Sequence, residues 1–234
     1  LDPAIGFKWQ PNISPEQAVR FTINDMVTPP LSTDAFGVMN SPGAIADRSN
    51  GGAVDIVGLG DSFMEMAAGA FHDRFKEAGL SYYSLAIHRQ CPPQYNAILG
   101  SWAEELNPKV IVYGLFENDF NESTDFASWR NSGVDWFEYH SGTWCGPPIG
   151  VGAVERSVRT RTRGWYAFGR VLHAKVRGEN MSVIGPSNSE VTTVATCVIE
   201  AADRARAVGA RFVLVVIPGK QTATVGDTNE LRAY

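Results

Sequence analysis

Polar side chains that can act on a carbonyl group follow three of the predicted strands. The residues at these places are Asp61 and Ser62, His88 and Arg89, and Asn118 and Asp119. Ser62 lies in "GLGDSF" (58–63), at the start of a predicted helix. A serine hydroxyl becomes a nucleophile when a base removes its proton. Backbone and asparagine N–H groups can stabilise the oxyanion that its attack produces.

Alternating strands and helices must position these residues. The apolar run at 53–60 ends in glycine and is typical of a buried parallel strand. Further strands are predicted at 81–87, 110–116 and 210–218, and helices at 62–79, 93–106 and 189–209. This alternation predicts a three-layer α/β/α flavodoxin-like sandwich with a central parallel sheet. The carboxyl ends of parallel strands share one edge, so we expect the polar residues to meet there.

The chain divides into two regions of one domain. Residues 1–50 are rich in Pro, Asn, Gly and Thr and are predicted to form an extended N-terminal layer. Residues 51–234 are predicted to form the α/β domain, with an insertion at about 120–188 over one end of the sheet. A helix is expected near 165–177, within this insertion.

Composition excludes several classes of protein. With 44% apolar and 19% charged residues among 234, the chain can bury a sizeable core and is not expected to be disordered. A net charge of −5 gives no reason to expect a nucleic-acid partner. No apolar run approaches the roughly 18 residues needed to span a bilayer.

The three cysteines do not form a metal motif. Cys91, Cys145 and Cys197 have no second cysteine or histidine at ligand spacing, so no metal site is predicted. Cys91 and Cys145 lie in loop-like contexts and could pair in an oxidising compartment. Cys197 is expected to be a small apolar residue on a helix.

Each candidate also has a structural interpretation. Ser62 could be the N-cap of its helix, since serine is a common cap. Asn118 could form an Asx-turn, and Asp61 could be a turn residue. Arg89 could be a solvated loop residue, or it could bind an acidic or phosphate-bearing group.

Three motifs together resemble the SGNH (GDSL-type) hydrolase family. They are "GDSF", "SLAIHRQCPPQY" and "YGLFENDF", in this order and each after a predicted strand. The resemblance covers roughly residues 30–120, and the final helix and strand also fit the fold. It implies a serine esterase or acylhydrolase that forms an acyl-serine intermediate and needs no cofactor. The implied substrate is a small acyl ester, such as an acetyl group on a glycan.

The resemblance also assigns roles to residues. Ser62 matches the nucleophile, and its backbone N–H is one oxyanion donor. Asn118 matches the asparagine donor. The glycine that usually supplies another N–H is replaced by Arg89, which keeps the N–H but lacks the conformational freedom of glycine. Asp61, His88 and Asp119 are the expected substrate-binding residues.

The histidine base that the family uses is not found by its motif. None of His72, His88, His140 and His173 has an aspartate three residues before it. The resemblance implies that an Asp-x-x-His block, a further strand and a final helix follow Tyr234. Among the histidines of the chain, His88 is best placed to reach the cleft.

Two other functions are compatible with the sequence. One is an inactive SGNH-like domain that binds a glycan or protein. The other is a flavodoxin-like module that holds a phosphate at the start of the Ser62 helix. Two groups in the insertion could bind sugars or anionic polymers, although buried core aromatics and a solvated face are the commoner explanations: Trp129, Trp136 and Trp144, and Arg156, Arg159, Arg161 and Arg163. Export to the periplasm or medium is compatible with the resemblance, and no signal segment is visible.

Overall fold

The structure is a computed structural model that describes residues 5–17, 22–23, 26–27, 30–116, 118–133 and 188–217. Its strands there are β1 (Thr22–Ile23), β2 (Met26–Val27), β3 (Ser32–Thr33), β4 (Met39–Asn40), β5 (Ile56–Leu59), β6 (Tyr82–Ser84), β7 (Val110–Phe116) and β8 (Arg211–Ile217). Its α-helices there are α1 (Pro42–Ser49), α2 (Ser62–Glu77), α3 (Pro92–Leu106), α4 (Asp119–Ser132) and α5 (Asn188–Ala207).

The central sheet has the predicted parallel arrangement. Its strands lie in the order β6-β5-β7-β8, and every neighbouring pair is parallel. The order reverses between β5 and β7, where Leu59 pairs with Tyr113. This is the flavodoxin-like order, in which the reversal opens a crevice beyond the strand ends.

Apolar side chains alternate between the two faces of the sheet, as the pleat of a strand requires. Val57 and Ile111 are fully buried in the core that α3 and α5 cover. Ile56 belongs to a second core, which includes Ala68 of α2. Helices therefore cover both faces, and the predicted α/β/α sandwich is confirmed.

Two glycines let α2 begin close to the sheet. A Cβ at Gly60 would lie 2.4 Å from Met64 Cγ, and a Cβ at Gly114 would lie 2.5 Å from the same atom. Met64 thus packs against the ends of both β5 and β7. The start of α2, with Ser62, consequently lies over the point where the strand order reverses.

Some element boundaries differ from the prediction. The ladder of β6 ends at Ser84, three residues before the predicted end at 87. The apolar residues at 85–87 remain buried beside β5, because Leu85 N donates to Gly58 O at 2.7 Å and Ile87 N to Gly60 O at 3.3 Å.

The N-terminal region contains a helix that was not predicted. Helix α1 has Pro42 in its first turn, and the Ser41 hydroxyl accepts from Ala44 N at 3.1 Å. Helix α4 occupies the first part of the expected insertion, and the helix expected near 165–177 lies outside the described residues.

The last described strand is half exposed. Val213 and Val216 of β8 are 37% and 41% accessible, and in the described part of the chain β8 pairs only with β7. No helix in the described ranges is long and apolar enough to cross a membrane.

Candidate active site

Ser62 is the first residue of α2 and not its cap. Asp61 occupies the N-cap position, and its Oδ1 accepts from the Phe63 backbone N–H at 3.0 Å. The capping interpretation of Ser62 is therefore wrong. Its half-buried hydroxyl lies where helix N–H groups and the helix dipole favour negative charge.

Asn118 lies beside Asp61, the residue that precedes Ser62. It is the N-cap of α4 but makes no side-chain capping bond. Burial raises the pKa of Asp61 and of Glu122, and the nearby Asn118 side chain offsets part of this effect. Asn118 Oδ1 is buried and has no hydrogen-bond partner in the described structure. An Asx-turn does not account for this side chain.

An aromatic pair joins the two sides of the crevice. The Phe63 and Phe116 rings have centroids 4.3 Å apart, which connects the start of α2 to the end of β7. Phe63 is 42% accessible, although most large apolar side chains in this part of the sheet are buried. The pair forms an apolar wall next to Ser62.

Arg89 keeps the turn that a glycine would form. Its φ of 61° lies in the left-handed region that glycine adopts freely. For other residues this conformation costs roughly 1–2 kcal/mol. Arg89 therefore has a backbone conformation that a glycine would adopt freely at this position.

Asp119 is completely buried and links two parts of the site. Its Oδ2 accepts from Phe116 N at 2.7 Å, and its Oδ1 lies 2.8 Å from Tyr95 Oη, which is also 2.8 Å from Gln90 O. A phenol has a single hydrogen. Both contacts are satisfied when Asp119 is protonated and donates to Tyr95, which then donates to Gln90 O.

The pKa of Asp119 agrees with this bonding scheme. Burial, opposed by hydrogen bonds and reinforced by the charge of Asp61, raises the pKa of Asp119 to about 8. Asp119 is better suited to tie the 88–91 turn to α4 than to contact a substrate, which was its expected role.

Two further acidic residues surround the site and were not singled out from the sequence. Burial, together with the charge of Asp61, raises the pKa of Glu65 and of Glu122 to about 7. Burial also raises the pKa of Asp61. The only sequence signal was spacing, since each glutamate lies three residues after a candidate on the same helix.

The Asp61 carboxyl occupies part of the start of α2. It accepts from the Phe63 N–H, one of the groups that would hold a phosphate. This bond leaves one N–H group fewer for a phosphate at the helix start.

The described histidines are separated by the fold. His72 lies ten residues after Ser62 on α2, about 15 Å along the axis. It is buried, and its Nδ1 lies 3.3 Å from Asp73 Oδ1. His88 lies at the site edge, where burial and the Arg89 charge lower its pKa and keep the imidazole neutral. His140 and His173 lie outside the described residues.

Other candidates are structural or lie outside the described ranges. Cys91 and Cys197 are free and buried, so Cys91 is unpaired here, and Cys145 lies outside the described residues. Trp129 is buried against Phe126, with ring centroids 5.2 Å apart, and is a core residue. The remaining tryptophans and arginines proposed for binding lie in the undescribed part of the insertion: Trp136, Trp144, Arg156, Arg159, Arg161 and Arg163.

The described residues offer no clear alternative site. No group of three His, Cys, Asp or Glu side chains among them could hold a metal ion. A cavity of about 430 Å³ lies near residues 48–52, which lead into β5. Its charged and polar groups pair internally, since Arg48 bonds Glu105 and Tyr83 Oη bonds Asp34.

The buried carboxyl groups predict that stability falls as pH rises. Glu65, Asp119 and Glu122 have raised pKa values in the folded state, so the folded protein binds more protons than the unfolded chain between about pH 4.5 and 8. The free energy of unfolding should decrease across this window, because each tenfold difference in proton affinity between the folded and unfolded states corresponds to roughly 1.4 kcal/mol. The lowered pKa of His88 has the opposite effect on the free energy of unfolding below the pKa of an unfolded histidine. His88 is a single group, whereas the three carboxyl groups act together.

Thermal unfolding at pH 5.5 and 8.5 measures this effect. We expect a higher Tm at pH 5.5, because about 1 kcal/mol corresponds to roughly 2–4 °C in a domain of this size. Glu65→Gln should reduce the difference. Asp55, whose pKa is lowered to about 2 by Lys109, is ionised throughout and serves as a control site. A Tm that rises with pH would contradict the prediction.

Comparison with known proteins adds no relative. The sequence matches no protein-family model, and no curated protein is significantly similar to it. Its function is therefore inferred from the three motifs and from the places of Ser62 and Asn118 at the starts of two helices, which follow the neighbouring strands β5 and β7.

Proposed function

We propose that this protein is a serine ester hydrolase or acyltransferase of the SGNH type. One observation carries the proposal. Asp61 and not Ser62 caps α2, so the Ser62 hydroxyl at the crevice has no capping role. A serine at the start of a helix is commonly its cap, and the absence of that role favours a chemical one.

The proposed reaction proceeds through an acyl-enzyme. Ser62 Oγ attacks the carbonyl carbon of an ester while a base takes the hydroxyl proton. The oxyanion is held by the backbone N–H groups of Ser62 and Arg89 and by the Asn118 amide. The base then protonates the departing alcohol. Water, or a hydroxyl group of an acceptor, attacks the acyl-serine and restores the Ser62 hydroxyl.

A neutral imidazole is the proposed base. The resemblance implies that this base is the histidine of an Asp-x-x-His block. His88 is the alternative within the described residues, because its pKa is lowered and its imidazole can accept a proton at pH 7. The fold separates His72 from this role, since it lies ten residues after Ser62 along α2.

The raised pKa values of the surrounding acids support an oxyanion site. An ionised carboxylate beside a developing oxyanion would oppose it. Burial raises the pKa of Asp119 to about 8 and those of Glu65 and Glu122 to about 7, which increases the neutral fraction of these three groups near the reaction centre. The substrate is proposed to be a small acyl ester, such as an acetylated glycan, with the apolar part against Phe63 and Phe116.

A fluorophosphonate probe tests this proposal on the full-length protein. We expect one covalent adduct, located by peptide mass spectrometry at Ser62, and protection of Ser62 by an excess of a small ester such as p-nitrophenyl acetate. His88→Ala separates the two bases: labelling persists if the base lies downstream and is lost if His88 is the base.

A folded full-length protein without any adduct would overturn the proposal and leave the inactive binding domain as the better account. The positive-φ turn at Arg89 argues against that alternative, because the oxyanion turn has been kept at an energetic cost.

A further inference from the structure

We infer that Tyr95 is a positioning residue, which holds the turn at Arg89 at a fixed distance from the segment that carries Asn118. The inference deepens the proposed function and rests on it, because this distance matters only if both residues stabilise an oxyanion. Tyr95 lies in the first turn of α3, and none of its surface is accessible. It acts through the two groups that its hydroxyl contacts.

The Tyr95 hydroxyl joins two segments that are separate in the chain. Its Oη lies 2.8 Å from Asp119 Oδ1 and 2.8 Å from the carbonyl oxygen of Gln90. Gln90 directly follows Arg89, and Asp119 directly follows Asn118. The phenol therefore contacts the immediate neighbours of two of the proposed oxyanion donors.

Asp119 extends this link to the end of β7. The Asp119 carboxyl group is fully buried, and its second oxygen, Oδ2, accepts from Phe116 N at 2.7 Å. The same carboxyl group thus contacts Tyr95 and fixes the backbone two residues before Asn118. A displacement of the Tyr95 hydroxyl would be passed to this segment through one side chain.

The turn at Arg89 needs support on its own side, because its φ of 61° is unfavourable for a residue with a side chain. Gln90 N donates to Ile87 O at 3.2 Å, and Gln90 Nε2 donates to Phe7 O at 3.1 Å. Tyr95 holds the third polar group of this residue, its carbonyl oxygen. The residue after the strained position is therefore fixed at its amide, its side chain and its carbonyl.

The ring of Tyr95 is anchored independently of its hydroxyl. It packs edge-to-face on the Tyr113 ring of β7, with centroids 5.4 Å apart, and shares the main core with Ile98 and Leu99. Burial raises the pKa of the phenol, so the hydroxyl keeps its single hydrogen. A change to phenylalanine therefore removes the hydroxyl link and leaves the ring in the core.

Loss of the hydroxyl link should loosen the distance between the two donors. Misplacement of catalytic groups by about 1 Å can reduce a rate by roughly a hundredfold. The donors act on the oxyanion and less on the ground-state carbonyl. The loss should therefore appear in kcat and much less in KM.

Tyr95→Phe and Tyr113→Phe form a matched pair for the test. Tyr113 is also fully buried, but its Oη lies 3.3 Å from Pro92 O and 3.4 Å from Asn96 Oδ1, away from both donor segments. With p-nitrophenyl acetate, we expect Tyr95→Phe to lower kcat by roughly ten- to a hundredfold with KM changed less than about threefold. Tyr113→Phe should keep kcat within about threefold, although each variant loses one buried hydroxyl.

Asp119→Asn and Asp119→Ala test the other half of the link. In Asp119→Asn the amide oxygen can accept from Phe116 N, and the amide N–H can donate to Tyr95 Oη. In Asp119→Ala both bonds are lost. We expect Asp119→Ala to lower kcat at least as much as Tyr95→Phe does, and Asp119→Asn to recover most of this loss.

A double-mutant cycle shows whether Tyr95 acts through the donors. In Asn118→Ala one donor is already absent, so the further change Tyr95→Phe should lower kcat by a smaller factor than it does in the wild type. A merely structural effect would give the same factor in both backgrounds, and that result would overturn the link to Asn118.

The outcomes separate this inference from the proposed function. Each full-length variant is first checked for a cooperative melt. If the folded wild type is not labelled at Ser62 by the fluorophosphonate, the proposed function fails and the inference fails with it. If the wild type is labelled, the positioning role alone is overturned when folded Tyr95→Phe has wild-type kcat or when Tyr113→Phe is equally impaired. It is also overturned if folded Asp119→Asn is as impaired as Asp119→Ala, and this pair decides if Tyr95→Phe does not fold.

Discussion

Replacement of Ser62 by alanine is expected to reduce ester turnover by at least about 10⁴-fold. The substitution removes the nucleophile, and the oxyanion donors alone give only a small residual acceleration. Folding should be nearly unaffected, because Asp61 caps α2 and the Ser62 hydroxyl is not part of that cap. The measurement is kcat/KM for a small ester, together with Tm.

Ser101→Ala is the matched control for this substitution. Ser101 is exposed on α3 and donates to Ala97 O at 3.0 Å, so it is a helical serine with no link to the crevice. It should retain wild-type turnover. Turnover that survives Ser62→Ala would show that another group performs the chemistry, and a large fall in Tm would show that Ser62 has a structural role.

Replacement of Asn118 by alanine is expected to lower kcat by about 10²–10³-fold and to change KM little. This is the usual effect of removing one side-chain oxyanion donor, since the bond forms fully only in the transition state. The free energy of unfolding should fall by less than it does when a helix cap is removed, because Asn118 makes no side-chain capping bond at α4.

Asn118→Asp sharpens this experiment. It preserves shape but removes the amide donor and adds a carboxyl beside Asp61 and Glu122, whose pKa values are already raised by burial. We expect turnover at least as low as in Asn118→Ala, with the largest loss at high pH. Asn50→Ala, at the exposed end of α1, is the control. A rise in KM of the same size, with no fall in kcat, would show that Asn118 binds the substrate in the ground state and does not stabilise the transition state.

Local patterns were sufficient for the sheet and for the place of the crevice. The continuous apolar run before Ser62 predicted a buried parallel strand, and the helical periodicity after it predicted α2 almost to its end. Parallel strands bring their carboxyl ends to one edge, so the neighbourhood of Ser62 and Asn118 followed from strand order alone.

Local patterns were less informative where long-range contacts decide the conformation. Helix α1 was missed because its sequence is short and begins with a proline and a glycine, and its Ser41 cap was not recognised. Strand β6 ends early because the regular strand pairing with β5 stops at Ser84. The apolar pattern does not change there, since residues 85–87 are still buried.

The amino-acid sequence by itself determined the α/β alternation, the parallel sheet and the candidate pair of Ser62 and Asn118, because these depend on short-range periodicity and on residues next to strand ends. Only the tertiary structure decided that Asp61 is the cap, that Arg89 is held at positive φ, and that the buried Glu65 carboxyl accepts from the Trp9 indole N–H. Those features depend on contacts between residues far apart in the chain, and burial of the carboxyl groups, which raises their pKa values, exists only after the layers have packed.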